Sequence, residues 1–436
     1  MDSTTIRQKH REHLLRCTAN YYEQPLVLVE GTGRHLTDLE GRRYLDFFGG
    51  ILTVSIGHAD ARVNAAAKAQ LDKLTHTSTL YPTLPIVQYA EKLASVCPNG
   101  LGKCFFTASG TEADETAVML AQVHTGQQEV IALRHGYSGR SMLAQSLTAH
   151  AQFRAVTTQI AAIKHAHAPY CYRCPMKLSY PSCEVACARD IEELIRTTTR
   201  GSVAAFLAEP IQGVGGFVTP PNEYLPTAVE IVRKYGGLFI CDEVQTGFGR
   251  TGGKMWGCEQ FGVTPDIMTM AKGIANGLPL GATVTTAAVD ASMKSASIST
   301  FGGNPVSCAA AIATLDVIQK DDLVANAARM GALLRAGLEE LKRRHPAVIG
   351  DVRGMGLMQA LELVVDEAAG DRTPNAKATV RLFEETCKRG LIIGKGGLYG
   401  NTIRIAPALT VTETEVSDAI RILEESFAAM GREVGS

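Results

Sequence analysis

Four kinds of side chain stand where short apolar runs stop. The run "IMTMAK" ends in Lys272, and "GLFICDEV" delivers Asp242 and Glu243 directly after four apolar residues. "CFFTASGT" runs into Ser109-Gly110-Thr111, and "VIALRHGYSG" carries Tyr137 into a glycine-flanked loop. A partly buried lysine loses protonation readily, so its amine can act as a nucleophile and form Schiff bases with aldehydes. A buried carboxylate needs a cationic partner or several donors. A glycine between two hydroxyls at a helix start offers free N–H groups and the positive end of the helix dipole to a phosphate. An aromatic side chain in a glycine-flanked loop can stack on a flat ring.

Each signal alone has a plain structural reading: a snorkelling lysine at a sheet edge, an ion pair, a helix cap, a half-buried loop tyrosine. Taken together they describe a site for pyridoxal 5'-phosphate. Its aldehyde would sit on Lys272, its ring nitrogen on Asp242 and its phosphate on the Ser109-Gly110-Thr111 turn.

Such a site needs strands that all end on one side. From about residue 100 the sequence alternates short apolar runs with helical patterns, which predicts an α/β fold with a mainly parallel sheet covered by helices. Ligands of such sheets bind at the carboxyl ends of the strands. Residues 25–50 alternate apolar and polar positions between glycine turns and read as a small antiparallel meander. The helical pattern "LVANAARMGALLRAGLEELKRR", followed by "VIGDVRGMGLMQALELV", predicts a second, smaller α+β lobe. The expected division is 1–55 for an N-terminal segment of the small domain, 56–314 for the large domain and 315–436 for the rest of the small one.

Composition narrows the function classes. The formal net charge of -1 gives no electrostatic case for nucleic acid or an acidic membrane surface. No apolar run is long enough to span a bilayer. The opening "MDSTTIRQKHREHLLRC" lacks the apolar core of a secretory signal. Eleven cysteines, an odd number, favour reduced thiols and a cytoplasmic protein. Four of them, Cys171, Cys174, Cys183 and Cys187, follow a C-x2-C-x8-C-x3-C pattern. That spacing could bind a structural Zn²⁺, and it equally fits unpaired thiols.

The chain resembles the class III (ω-type) aminotransferases of PLP fold type I over nearly its whole length. The resemblance runs from "GTGRHLTDLEGRRYLDFFGG" through "AEPIQGVGGF", "ICDEVQTGFGRTG", "MAKGIANGLPLGA" and "STFGGNP" to "IRIAPAL". Within the class, "HTSTLYPTLPIVQYAEKLA", "TFGGNPVSCA" and "GDVRGMGLM" look most like the alanine–glyoxylate aminotransferase 2 type, to which phosphoethanolamine phospholyases are close. The resemblance implies that Lys272 is the Schiff-base lysine and proton shuttle and that Asp242 pairs with the pyridinium. It also implies that Gln245 bonds the ring hydroxyl, Val244 and Tyr137 sandwich the ring, and Glu209 stands behind them. Ser109, Gly110 and Thr111 would bind the phosphate, and Thr300 would reach the phosphate in a partner subunit. The implied functional unit is therefore a homodimer with shared active sites, a tetramer being a further option. Tyr81, the segment "GGILTVS" and residues near Arg404 would line the substrate pocket.

Two departures matter. Where the family often has histidine after the ring-stacking tyrosine, this chain has Ser138. Where many members read "EPIQGEGG", with a glutamate that pairs with a late arginine, this chain has Val214. The matching arginine, Arg404, is then left for a substrate carboxylate. The implied reaction moves an amino group between a donor and a small 2-oxo acid such as pyruvate or glyoxylate. The alternatives on the same cofactor are a lyase that releases ammonia or phosphate from an amino-phosphate or amino-phosphonate, and an isomerase that never releases the amine.

Overall fold

The structure is a computed structural model that describes residues 1–156 and 160–432. Its centre is a seven-stranded sheet in the order Leu101–Thr107, Gly281–Thr286, Ile267–Met270, Leu238–Asp242, Ala205–Ala208, Val130–Leu133, Ile163–Ala166. The last five are mutually parallel, and Gly281–Thr286 runs antiparallel to both its neighbours. Strands Val130–Leu133, Ala205–Ala208 and Ile267–Met270 are buried at every residue. Helices cover both faces, which is why these runs read as continuous apolar stretches rather than alternating ones.

Helix Gly110–Thr125 shows how local chemistry fixes an element beside the site. Ser109 is extended and accepts a hydrogen bond from the Glu112 N–H, while Glu112 reaches back to the Ala108 N–H at 2.7 Å. This reciprocal cap fixes where the helix starts. Gly126, at φ 68°, ends it in the left-handed conformation that glycine adopts without a Cβ penalty.

The N-terminal strands Leu28–Thr32, His35–Asp38 and Arg43–Asp46 form the expected antiparallel meander. Arg43–Asp46 also pairs in parallel with Leu391–Ile392 from the other end of the chain. A second small sheet is built from Ile349–Met355, Met358–Asp366, Thr402–Ile405 and Gly394–Gly396, with Asp371–Pro374 on Met358–Asp366. Position 314/315 lies inside helix Pro305–Lys320. Among the described residues no helix is long and apolar enough to cross a membrane.

The four spaced cysteines gather around one cavity of about 20 Å³ and are all free thiols. No three of them lie within 4.8 Å of one another, whereas a tetrahedral Zn–S₄ site needs sulfurs about 3.8 Å apart. This arrangement lends the zinc expectation no support. What fixes this loop is charge: Tyr170 and Arg173 both bond the buried carboxylate of Glu362, which also receives Arg353. Among the described residues the one close group of metal-ligand types is Cys241, Glu243 and Cys258. There the Glu243 oxygens are already engaged by the Gly257 and Cys258 N–H groups and the Thr246 hydroxyl.

Candidate active site

Three adjacent parallel strands end in expected site residues, two singled out by type and one by resemblance. Ala205–Ala208 is followed by Glu209, Leu238–Asp242 ends in Asp242, and Ile267–Met270 leads to Lys272. Asp242 is 4% exposed, and its Oδ1 accepts the Val244 N–H at 2.9 Å. Burial raises its pKa to about 6, while that N–H and the Lys272 charge pull it back down. Burial also raises the Glu209 carboxyl, with the Asp242 charge adding to the effect. Glu209 accepts the Tyr137 N–H at 3.1 Å and the Gly213 N–H at 2.7 Å. It therefore ties the Tyr137 loop to the "QGVGG" loop.

A third acid joins them. Asp114, on the buried face of helix Gly110–Thr125, accepts the Thr269 hydroxyl at 2.7 Å, and burial followed by the Asp242 charge raises its pKa. Lys272 faces all three acids. Burial lowers its pKa, and the Asp242 and Glu209 charges oppose that. It has a left-handed φ of 46°, an unusual backbone for a lysine. Such outliers concentrate at functional sites.

The surroundings fit pyridoxal phosphate. Gln245 is buried with its Oε1 unpartnered, so it has an acceptor free for a hydroxyl donor. Val244 packs on Gly110, where a Cβ would come 3.3 Å from its Cγ2. At Gly139, φ 132°, a Cβ would come 2.2 Å from Thr111 Oγ1, so the loop carrying Tyr137 can close on the helix start only as glycine. The tyrosine ring meets Phe153 edge-on at 5.2 Å. Ser138 is buried, and its N–H donates to Thr148 Oγ1 at 3.0 Å.

Arg404, on strand Thr402–Ile405, is 5% exposed. Its Nε donates to the Lys395 carbonyl at 2.9 Å and its Nη1 to the Gly213 carbonyl at 3.4 Å, with the guanidinium over Phe48 and Phe217. No carboxylate pairs with it among the described residues. Burial lowers its pKa.

The chain matches the family model "Aminotransferase class-III" over residues 17–427. It belongs to the class III aminotransferases. Alanine–glyoxylate aminotransferase 2 homolog 2, mitochondrial, of Arabidopsis thaliana is 41% identical over 98% of this chain and 87% of its own. A Bacillus anthracis aminotransferase superposes with a TM-score of 0.91 at 30% identity, covering 98% of this chain and all of the other. An Arthrobacter phospholyase in complex with phosphoethanolamine reaches a TM-score of 0.89 at 32% identity, over 97% and 99% of the two chains. The chain is thus an aminotransferase by family, with the fold of PLP type I.

Two expected site residues do not join the others within one chain. Tyr81 is 65% exposed, and Thr300 is exposed too. Their segments are bonded to each other by the Thr79 hydroxyl and the Ser299 carbonyl, and His76 packs on Phe301. Sequence reasoning missed Asp114, whose signal is an acid on an alanine-lined helix face, and the aromatic pair Phe48 and Phe217 beside Arg404.

Proposed function

We propose that this enzyme transfers an amino group from an amine or amino acid to a small 2-oxo acid, pyruvate or glyoxylate. The observation that carries the acceptor is Arg404: buried, without a carboxylate partner, and beside Val214 rather than a glutamate. A guanidinium in that state suits bidentate capture of a substrate carboxylate. The relative named for alanine and glyoxylate supports the same pair.

Pyridoxal phosphate, when bound, supplies an electron sink for the carbanion at the substrate Cα. The Ser109-Gly110-Thr111 turn would hold its phosphate, Asp242 its ring nitrogen, Gln245 its ring hydroxyl, and Val244 and Tyr137 the two ring faces. Asp242 keeps the ring nitrogen protonated, since its buried carboxylate is stabilised by an adjacent cation. Glu209 positions the Tyr137 loop. The Lys272 amine, whose pKa burial lowers, would take the proton from the substrate Cα. Arg404 fixes the carboxylate so that this Cα faces Lys272.

The second subunit supplies the remainder. Leu80, Tyr81, Leu84, Val87, Ile298 and Phe301 are all exposed, and apolar side chains of this kind suit burial against a second subunit. A homodimer covers it and brings Thr300 to the partner's phosphate turn. The odd number of cysteines, all free, suits a reducing compartment such as the cytoplasm.

The test is the visible spectrum of the purified enzyme with L-alanine. Loss of the cofactor's resting band, restored by pyruvate, supports the reading. An unchanged band, with phosphate or ammonia released from amino-phosphates, would replace it with the lyase.

A further inference from the structure

The motif "GDVRGMGLM" gives the site a second buried arginine. Arg353 lies on strand Ile349–Met355 and is 8% exposed. It pairs with Ala360, and Ala360 pairs with Arg404 on the next strand. Residues paired directly across a sheet point to one face, so the two arginines flank an alanine on the same side, about 10 Å apart. The Gly213–Gly216 loop lies on that side and accepts from both. Arg404 Nη1 donates to the Gly213 carbonyl at 3.4 Å, and Arg353 Nε donates to the Gly216 carbonyl at 2.8 Å. The fit is tight: a Cβ on Gly216, φ 100°, would come 2.9 Å from Thr402 Oγ1 and 3.1 Å from Arg353 Nη2. The two cations differ in one respect. Arg353 Nη1 donates to Asp351 at 2.9 Å and to the buried carboxylate of Glu362, and its Nη2 donates to Thr402 Oγ1 at 3.3 Å. Its charge is spent within the chain, whereas among the described residues no carboxylate pairs with Arg404.

We propose that Arg353 is a positioning residue for the substrate carboxylate: it holds the Gly213–Gly216 loop against strand Thr402–Ile405 so that the Arg404 guanidinium faces the substrate. Its hold reaches Arg404 along two routes. Thr402, bonded to Arg353, is two residues from Arg404 on one strand, so both side chains share a face. Gly216 leads directly into Phe217, whose ring lies 5.6 Å from the Arg404 guanidinium. Between the two held carbonyls, Val214 gives its own carbonyl to the Gly397 N–H at 2.9 Å. A loop released from Arg353 would shift both the Gly213 carbonyl and the Phe217 ring that orient Arg404. This inference rests on the carboxylate-binding reading of Arg404.

The test uses the holoenzyme and the variants Arg353→Lys, Gly216→Ala and Arg404→Ala, with the double variant Arg353→Lys/Arg404→Ala. Lysine keeps a cation for Asp351 and Glu362 but cannot also reach the Gly216 carbonyl in the geometry of a guanidinium fork. Loss of that contact predicts a rise of about tenfold in the pyruvate KM. Gly216→Ala disturbs the same contact from the loop side without touching a charge, and it should raise the pyruvate KM by a similar factor. Affinity for pyridoxal phosphate should stay at the wild-type value in both. Because Arg353 acts through Arg404, the double variant should have a pyruvate KM no higher than that of Arg404→Ala alone. A wild-type pyruvate KM in either Arg353→Lys or Gly216→Ala, beside a crippled Arg404→Ala, overturns this inference alone. Factors that simply multiply in the double variant overturn it too. An unchanged pyruvate KM in Arg404→Ala overturns the carboxylate reading and this inference with it. Cofactor affinity and melting temperature that fall together with the KM effect in both variants assign Arg353 a structural role and also overturn the proposal.

Discussion

Replacing Asp242 with asparagine should make the cofactor-free protein more stable and the enzyme nearly inactive. The carboxylate is fully enclosed, and burial raises its pKa from 3.8 to about 6. The folded chain therefore takes up a proton between those two values. The stability this group contributes falls as pH rises through that window, and the full penalty persists above about 6. At ~1.4 kcal/mol per pH unit the penalty is about 3 kcal/mol. Asparagine keeps an oxygen for the Val244 N–H and removes the charge. It also relieves the raised carboxyls of Asp114 and Glu209, on both of which the Asp242 charge acts. For a chain of this length about 3 kcal/mol corresponds to a rise of about 3 °C in melting temperature. Thermal melts of apo wild type and Asp242→Asn should differ by that amount at pH 8 and converge near pH 4. With cofactor bound the order should reverse, because the ring cation then neutralises the aspartate, and kcat should fall by about 10²–10³ in the variant. An apo variant that melts no higher than wild type at pH 8 would refute the reasoning.

Other substitutions test the remaining parts. Arg404→Ala should raise the pyruvate KM by about 100-fold, the loss expected for two charge-assisted bonds, read from steady-state kinetics. Val214→Glu should offer Arg404 an internal carboxylate and so raise the pyruvate KM about tenfold, with the competition easing at high salt. Gly139→Ala places a Cβ against Thr111 on a left-handed backbone. It should weaken pyridoxal phosphate binding at least about tenfold, measured by titration of the apoenzyme.

Lys272 and Asp242 were legible because each ends an apolar run, so the strand that buries the run also places the side chain. The helix start at Ser109 was legible from its capping chemistry. The roles of Gln245, Val244 and Glu209 came from family resemblance, since nothing in their local pattern separates a ring contact from core packing. Tyr81 and Thr300 were placed with the site by resemblance, and one chain alone leaves them on its surface. The cysteine spacing offered zinc or unpaired thiols, and the four residues line one small cavity as free thiols. It could not foresee that Glu362 would hold their loop through Tyr170 and Arg173.

The parallel pairing of Leu391–Ile392 with Leu45–Asp46 joins the two ends of the chain. During synthesis the N-terminal meander must wait for its fourth strand until almost all of the protein has left the ribosome. Arg404 arrives later still. Native contacts of such long sequence separation slow folding and leave apolar edges uncovered in the meantime. This enzyme should therefore acquire its small domain after translation, and it should tolerate circular permutation at a surface loop better than loss of its last forty residues.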